Sequence, residues 1–154
     1  MIPSGETAPV PDIGEGKRGE GGHIGYLLRQ AGVAFRTRMD ASLGPIGLTT
    51  PQFVALTLIG AYPALSSADL ARLSLLTPQT ITVIVANLKR AGLVAIEPHP
   101  DHGRIQRLTL TGAGSALLAR GRPLVDALEA ELLVGFDDRE TATIRRFLVA
   151  TARL

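Results

Sequence analysis

The clearest hydrophobic periodicity in the chain lies between Thr77 and Gly92. Its apolar residues recur at positions i, i+3, i+4 and i+7, as on one face of an α-helix: Ile81, Ile84, Val85 and Leu88. Thr77 is a favourable N-cap, and Pro78 suits the first helical position because the N–H that proline lacks has no partner there. Gly92 is available for a left-handed cap. The pattern therefore predicts an amphipathic helix that begins at Pro78 and closes at Ala91-Gly92.

The opposite face of this predicted helix is small, polar and uncharged over its first two turns. It carries Gln79, Val83, Ala86, Asn87 and Arg90, with Thr80 and Thr82 on its flanks. A face of this kind can lie in a major groove about 12 Å wide. An ordinary amphipathic surface helix has the same pattern, so the helix alone leaves both interpretations open.

A short β-hairpin is predicted directly after the helix. Residues 93–96 and 105–110 have strand character, and residues 97–104 between them are dense in turn formers. Basic side chains outnumber acidic ones by two in this region: Lys89, Arg90, Arg104 and Arg107 against Glu97 and Asp101. An arginine at a hairpin tip can reach a minor groove or a phosphate. An isolated basic hairpin is better interpreted as a solvated turn, but behind such a helix it favours the wing of a winged helix-turn-helix.

Two further helices are predicted upstream. Ser66-Ser67-Ala68-Asp69 resembles a capping box, and the short helix that follows ends near residues 74–76. Thr50-Pro51-Gln52 opens an earlier helix, whose apolar side chains point toward a core: Phe53, Leu56, Leu58 and Ile59. A short helix, a tight connection and a capped second helix form a helix-turn-helix, which presents its second helix to the DNA groove.

Across roughly Gly22 to Leu154 the chain resembles the MarR-type transcriptional regulators. The segments that carry the resemblance are LTTPQFVALTLIG, SSADLARLSLLTPQTITVIVANLKRAGLV and HPDHGRIQRLTLTGAG, in that order. The resemblance implies a mainly α-helical fold with a small β-hairpin. A single MarR-like domain at residues 23–154 would contain a winged helix-turn-helix at 48–111, flanked by dimerisation helices at 23–44 and 112–154.

The resemblance also implies a function: a homodimeric, sequence-specific DNA-binding regulator, typically a repressor released by a small phenolic or other aromatic anion. The side chains assigned to DNA are Ser67, Thr77, Gln79, Thr80, Thr82, Val83, Asn87, Arg90, His102, Arg104 and Arg107. Three residues near the start of the first long helix are candidates for the ligand, because an aromatic side chain and a cation suit a carboxylate: His23, Tyr26 and Arg29. Interface packing and surface charge are the alternative roles for these three.

The chain departs from the family pattern at the presumed DNA surface. Val83 stands where relatives often have a basic residue, and relatives often have another near Ile96 at the start of the wing. His102 stands where many have an acidic residue two before the wing arginine. The contact map of the family therefore does not transfer intact. Val83 is instead expected to contact a thymine methyl group.

Long amphipathic segments at both ends predict a dimer. An apolar stripe begins after His23 and runs through Ile24, Leu27, Leu28, Ala31, Phe35, Met39 and Leu43. A helical run over residues 117–133 is expected to be interrupted at Pro123, where a kink is expected, and a last helix is capped at Asp137. These segments exceed what three short helices and a wing can cover, so a partner subunit is expected to bury them. A two-fold dimer places its recognition helices about 34 Å apart on a pseudo-palindromic duplex.

Length, composition and motifs narrow the classes of protein to which this chain can belong. The 154 residues fit one domain, residues 1–22 are expected to form a flexible arm without a signal peptide, and no 18-residue apolar run predicts a membrane span. We therefore expect a cytoplasmic protein. The absence of cysteine excludes disulfides and thiolate metal sites. No G-x-S-x-G, no P-loop and no G-x-G-x-x-G after a strand indicates an enzyme or a cofactor. His99-x-x-His102 would need two further ligands for zinc, so no metal is expected.

One alternative function stays open, a winged-helix module that binds protein without binding DNA. The retention of four basic residues on the recognition helix and the hairpin argues against it: Lys89, Arg90, Arg104 and Arg107. A steep fall of duplex affinity with salt would distinguish a DNA-binding protein from such a module.

Overall fold

The computed structural model describes residues 10–153, and these are mainly helical with one β-hairpin, as predicted. The helices are α1 (Ile24–Leu43), α2 (Thr50–Ala61), α3 (Ser67–Ser74), α4 (Pro78–Arg90), α5 (Gly112–Leu132) and α6 (Asp138–Thr151). The strands are β1 (Val94–Pro98) and β2 (Gln106–Leu110), and short 3-10 helices lie at Gly16–Arg18 and Gly44–Ile46. The chain divides into two units, of which the first ends at Arg38 and the second begins at Met39.

Side chains just before the helices fix where these helices begin. Reciprocal capping boxes join Thr49 to Gln52, Ser66 to Asp69 and Asp137 to Glu140. Each box satisfies backbone N–H groups that the first turn of a helix leaves without partners. The capping box predicted at Ser66 and the helix cap predicted at Asp137 are therefore confirmed.

The core of the second unit lies beneath α2, α3 and α4. Its most deeply buried large side chains are Leu43, Leu56, Leu70, Ile81 and Leu88. Gly121 of α5 lets that helix approach α2 closely, because a Cβ added there would lie 3.0 Å from the Phe53 ring. Among residues 10–153, no polar or charged residue is buried in this core.

The hairpin is attached to the core at two points. Its strands are antiparallel, with Val94 opposite Leu110 and Glu97 opposite Arg107. The Leu108 N–H donates to the Leu65 carbonyl (2.8 Å), and the Thr111 N–H donates to the Leu93 carbonyl (3.1 Å). The wing is thereby fixed to the segment before α3 and to the segment after α4.

The structure bears on two predictions, the interruption at Pro123 and the flexible arm over residues 1–22. Helix α5 continues through Pro123, so the predicted helical run is confirmed without the interruption, and the kink expected there stays a prediction. Proline removes one N–H donor, but its fixed φ is compatible with a helix, and the remaining turns keep their hydrogen bonds. The flexible arm predicted over residues 1–22 lies partly outside the described residues. Its described part, residues 10–22, contains the Gly16–Arg18 3-10 helix.

The long helices of this chain do not meet the requirements of a membrane span. Among residues 10–153, no single helix is both long enough and apolar enough to cross a bilayer.

Candidate nucleic-acid interface

Helix α4 is half buried and half exposed along its length. Its stripe of four aliphatic side chains is buried in the core, as the periodicity predicted: Ile81, Ile84, Val85 and Leu88. The predicted reading residues lie on the other side and are all exposed: Gln79, Thr80, Thr82, Val83 and Asn87. Val83 is an apolar side chain with 59% of its surface exposed. A rigid helix therefore presents an uncharged face that nothing in the described chain covers.

The polar side chains of this face differ in whether they form hydrogen bonds within the helix. The Thr77 hydroxyl caps α4 by accepting from the Thr80 N–H (3.2 Å), and it lies 2.9 Å from the Thr80 hydroxyl. The Thr82 hydroxyl donates to the Pro78 carbonyl (2.9 Å). The Gln79 side chain makes no hydrogen bond within residues 10–153, so its amide keeps both donor and acceptor. This is the arrangement that bidentate contact with an adenine edge requires.

The C-terminal end of α4 carries the basic part of the helix. Lys89 and Arg90 occupy its last turn and are exposed. The Arg90 Nη1 donates to the Asn87 Oδ1 (3.0 Å), so these two predicted DNA residues are joined on the helix surface. Cations here also complement the negative end of the helix dipole.

A groove lies between α3 and α4, where the helix-turn-helix connection runs. It has a volume of about 520 Å³, and its lining includes Ser67, Arg72, Pro78 and Thr82. Ser67, which sequence analysis assigned to DNA, stands exposed at the first position of α3. Arg72 was not identified from the sequence, although it lies on the same groove.

Arg72 has a carboxylate neighbour, Asp69, on the previous turn of α3. The two form an ion pair, and Asp69 also accepts from the Ser66 hydroxyl (2.6 Å) and the Ser66 N–H (3.2 Å). The Ser66 hydroxyl, and after it Arg72, lower the pKa of Asp69 below its ordinary value. Asp69 thus stabilises the start of α3 and holds Arg72 beside the groove. The spacing of three residues is the sequence signal that could have identified this pair.

The wing strands contain a second ion pair. The Arg107 guanidinium donates twice to Glu97 Oε2, at 2.7 Å from Nη2 and 3.2 Å from Nε. The side chain of Arg107 lies on the hairpin as predicted, but Glu97 neutralises its charge. The pairing depends on the strand register, and the length of the turn between the two strands sets that register.

The wing tip, residues 99–105, is shaped by its histidines. The Asp101 N–H donates to His99 Nδ1 (3.1 Å), and the His99 and His102 ring centroids are 5.3 Å apart. The Ile105 N–H donates to the His102 carbonyl (2.8 Å). Arg104 is exposed and has no side-chain partner among the described residues. Within residues 10–153 no group of three potential ligands is arranged to hold a metal ion.

The three candidate ligand residues lie at the beginning of α1. His23 precedes the helix, and its carbonyl accepts from the Leu27 N–H (3.0 Å). Tyr26 accepts at its hydroxyl from Gln30 Nε2 (2.6 Å). Arg29 lies on a cleft that the other two do not line. The structure therefore separates the predicted set into one cleft residue and two neighbours.

Comparisons with known families and with known proteins agree on the proteins to which this chain is similar. A family model described as the MarR family matches residues 46–105, which extend from before α2 to the wing tip. The HTH-type transcriptional repressor Rv2887 of Mycobacterium tuberculosis is 38% identical over 125 residues, covering 81% of this chain and 90% of that protein.

Solved structures of the same mycobacterial protein are also similar. The crystal structure of Rv2887 in complex with DNA is 36% identical, covers 84% of this chain and 97% of the other, and has a TM-score of 0.67. Its complex with p-aminosalicylic acid is 35% identical, covers 84% and 98% of the two chains, and has a TM-score of 0.67.

Proposed function

Because this chain belongs to the MarR family of transcriptional regulators, we propose that it is a homodimeric repressor that binds a pseudo-palindromic duplex. One observation carries the proposal: α4 buries one face in the core and presents an exposed, uncharged reading face. That face ends in two cations, Lys89 and Arg90, and is followed directly by the basic tip of the hairpin.

In the proposed complex, α4 lies in the major groove and the wing lies along the backbone. Gln79 contacts an adenine edge and Val83 contacts a thymine methyl group. Arg104 reaches a phosphate or the minor groove, because its guanidinium has no partner among the described residues. Ser67 and Thr77, at the starts of α3 and α4, contact phosphates in this proposal and so position the protein on the duplex. A contact between Arg107 and DNA would compete with the ion pair that Arg107 forms with Glu97.

A second subunit is proposed to cover the apolar side chains that the second unit leaves exposed. No residue of α6 is buried, and Phe147 and Leu148 are exposed on it. The connection from α5 to α6 exposes three more: Leu132, Val134 and Phe136. Exposed large apolar side chains in such number are typical of a protein interface. A two-fold dimer then matches the two-fold symmetry of a palindrome.

The repressor is proposed to be released by a small aromatic anion. The crystal structure of Rv2887 with p-aminosalicylic acid supports this class of ligand, since that protein and this chain are 35% identical. The chain itself contributes candidate cations and aromatic groups near the start of α1, among them His23, Tyr26 and Arg29.

Selection of duplexes from a random pool tests DNA reading. We expect the selected sequences to share a palindrome and their affinity to fall steeply with salt. Gln79→Ala should relax the preference at one base pair in each half-site, by about 1–3 kcal/mol. Lys89→Ala is the control on the same helix, because losing a phosphate contact weakens all sequences alike.

Two outcomes would count against this assignment. If Gln79→Ala weakens all duplexes equally, α4 does not read the bases. If the protein binds no duplex even at low salt, the winged helix is a protein-interaction module.

A further inference from the structure

Helix α3 supplies a cation beside the part of α4 that has none of its own. Residues 73–88 contain no charged side chain, so α4 carries no charge before Lys89. Arg72 comes directly before this uncharged stretch and lines the groove of about 520 Å³ between α3 and α4. On the α4 side, Pro78 and Thr82 line the same groove, in the first two turns of that helix. Arg72 therefore places a positive charge next to the uncharged half of the reading helix.

The walls of this groove are suited to a phosphodiester chain. On α3 they include two small side chains, Ala68 and Ala71, which leave the groove open. Ser67 is exposed at the first position of α3, where its hydroxyl can donate to an anionic oxygen. None of the described residues that line the groove is acidic. A hydroxyl, a guanidinium and small apolar walls are complementary to the phosphates and sugars of a DNA strand.

The guanidinium of Arg72 is only partly engaged within the protein. Its Nη2 pairs with Asp69 Oδ1, and the side chain has no other partner among residues 10–153. Nε and Nη1 therefore keep their protons for another acceptor, and 78% of the side chain is exposed. An ion pair this exposed contributes little to stability, so a phosphate can share the guanidinium at small cost.

Arg72 differs in this respect from Arg107 of the wing. Arg107 donates to Glu97 from both Nε and Nη2, and only 33% of its side chain is exposed. Asp69 is also shared with its own helix, because its second oxygen accepts from the Ser66 hydroxyl and N–H. It lies in the first turn of α3, where the helix dipole favours a negative charge. The helix thus balances part of the Asp69 charge, and Arg72 keeps more of its own charge for DNA than Arg107 does.

We propose that the backbone of one DNA strand lies along the groove between α3 and α4 and that Arg72 binds one of its phosphates. Asp69 holds Nη2, and the phosphate accepts from the nitrogens that Asp69 leaves free. The side chain is oriented before the duplex arrives, so it loses less conformational freedom on binding. The contact fixes how α4 lies in the major groove and does not read a base. This inference rests on the proposed function, because it adds a contact to the duplex proposed there.

Titration of the full chain with a palindromic duplex recovered from the random pool, at several salt concentrations, tests the contact. We expect Arg72→Gln to weaken binding at least about tenfold and to reduce the salt slope by about one for each bound subunit. The loss should be the same on a scrambled duplex of equal length, because a phosphate carries no sequence information. Arg72→Lys should keep the slope, since it keeps the charge.

Arg146→Gln is the matched control. Arg146 is also exposed and also bonds to a side chain one turn earlier, Thr143 (3.4 Å), but it lies on α6, away from the groove. Its replacement should change neither affinity nor slope. Asp69→Asn separates the phosphate contact from the ion pair, because it breaks the same pair and leaves the charge of Arg72 in place. We expect Asp69→Asn to keep the full salt slope. Far-UV circular dichroism of each variant shows that it is folded.

The outcomes distinguish this inference from the proposed function. If the wild-type chain binds no duplex at low salt, both are overturned. If the wild type binds and Arg72→Gln keeps its affinity and slope, only the contact of Arg72 is overturned. The contact is also overturned if Asp69→Asn reduces the slope as much as Arg72→Gln does, because the ion pair would then act through the structure of α3. A changed base preference in Arg72→Gln with an unchanged slope would overturn it as well, since Arg72 would then read a base.

Discussion

Leu75 adopts a left-handed backbone conformation in the turn of the helix-turn-helix, with φ of 55°. A side chain with a Cβ is strained there by about 1–2 kcal/mol. The conformation lets the next residue, Leu76, donate its N–H to the Ala71 carbonyl (3.2 Å) and so closes the end of α3. Since Leu75 is 84% exposed, its side chain recovers little of this cost by burial.

Replacing Leu75 by glycine should therefore stabilise the fold. We expect Leu75→Gly to raise the free energy of unfolding by about 0.5–1 kcal/mol, because glycine tolerates positive φ but has a more flexible unfolded chain. Urea denaturation measures this. Leu73→Gly is the control inside α3, where glycine should lower stability by about 1 kcal/mol. A loss of stability in Leu75→Gly would mean that the exposed leucine makes contacts in the assembled protein.

Asp69 should make stability depend on pH in the acid range. Its pKa is lowered in the folded protein by the Ser66 hydroxyl and by Arg72, so the unfolded chain binds the proton more readily. The stability it contributes is complete above the unfolded pKa of about 4 and is lost as the pH falls through the lower folded pKa.

Asp69→Asn should remove this dependence. The difference in unfolding free energy between wild type and variant should be present at pH 6 and should shrink below pH 4, as urea denaturation at each pH will measure. Asp126→Asn, at an exposed carboxylate of α5 with no hydrogen bond in the described chain, is the control and should show no such change. A difference that stays constant down to pH 2 would show that Asp69 acts through its shape and not its charge.

At the scale of elements, local signals in the sequence were sufficient to predict where α4 begins and ends. Thr77 caps the helix, Pro78 begins it, and Gly92 follows it with φ of 71°. These features depend on neighbours within a few residues, so they are visible in sequence. The Glu97–Arg107 pair joins residues ten apart and depends on the strand register, which the sequence does not specify. The sequence therefore predicted that Arg107 lies on the hairpin, but it did not predict the ion pair with Glu97.

This pairing makes the two wing arginines unequal. We expect Arg104→Ala to weaken duplex binding at all sequences and to reduce the salt slope by about one, because a phosphate contact is lost. Arg107→Ala should weaken binding less, since Glu97 already neutralises that charge. Glu97→Gln should strengthen binding by freeing Arg107. Salt titrations of duplex affinity for the three variants measure these effects. A larger loss in Arg107→Ala than in Arg104→Ala would show that Arg107 leaves Glu97 when DNA binds.

At the scale of the whole molecule, the hydrogen bonds of Thr111 connect the end of α4, the wing and the start of α5. The Thr111 hydroxyl donates to the Gly92 carbonyl (2.6 Å) and accepts from the Gly114 N–H (3.0 Å). A Cβ on Gly114 would lie 2.0 Å from the Leu93 carbonyl oxygen, so only glycine permits this approach. A shift at the start of α5 must therefore move the end of α4 as well.

The dimer proposed for this molecule can be tested on α6, where two aliphatic residues are almost equally exposed. Leu148 is 45% exposed and belongs to the stripe with Ile144, Phe147 and Thr151, whereas Val149 is 53% exposed and lies off that stripe. We expect Leu148→Asp to dissociate the dimer and weaken binding to a palindromic duplex at least tenfold, because an unpaired carboxylate in an apolar interface is costly to desolvate. Val149→Asp should leave both unchanged. Sedimentation gives the mass and duplex titration gives the affinity. If Leu148→Asp stays dimeric, or if it binds the palindrome normally as a monomer, the second subunit does not lie on this stripe.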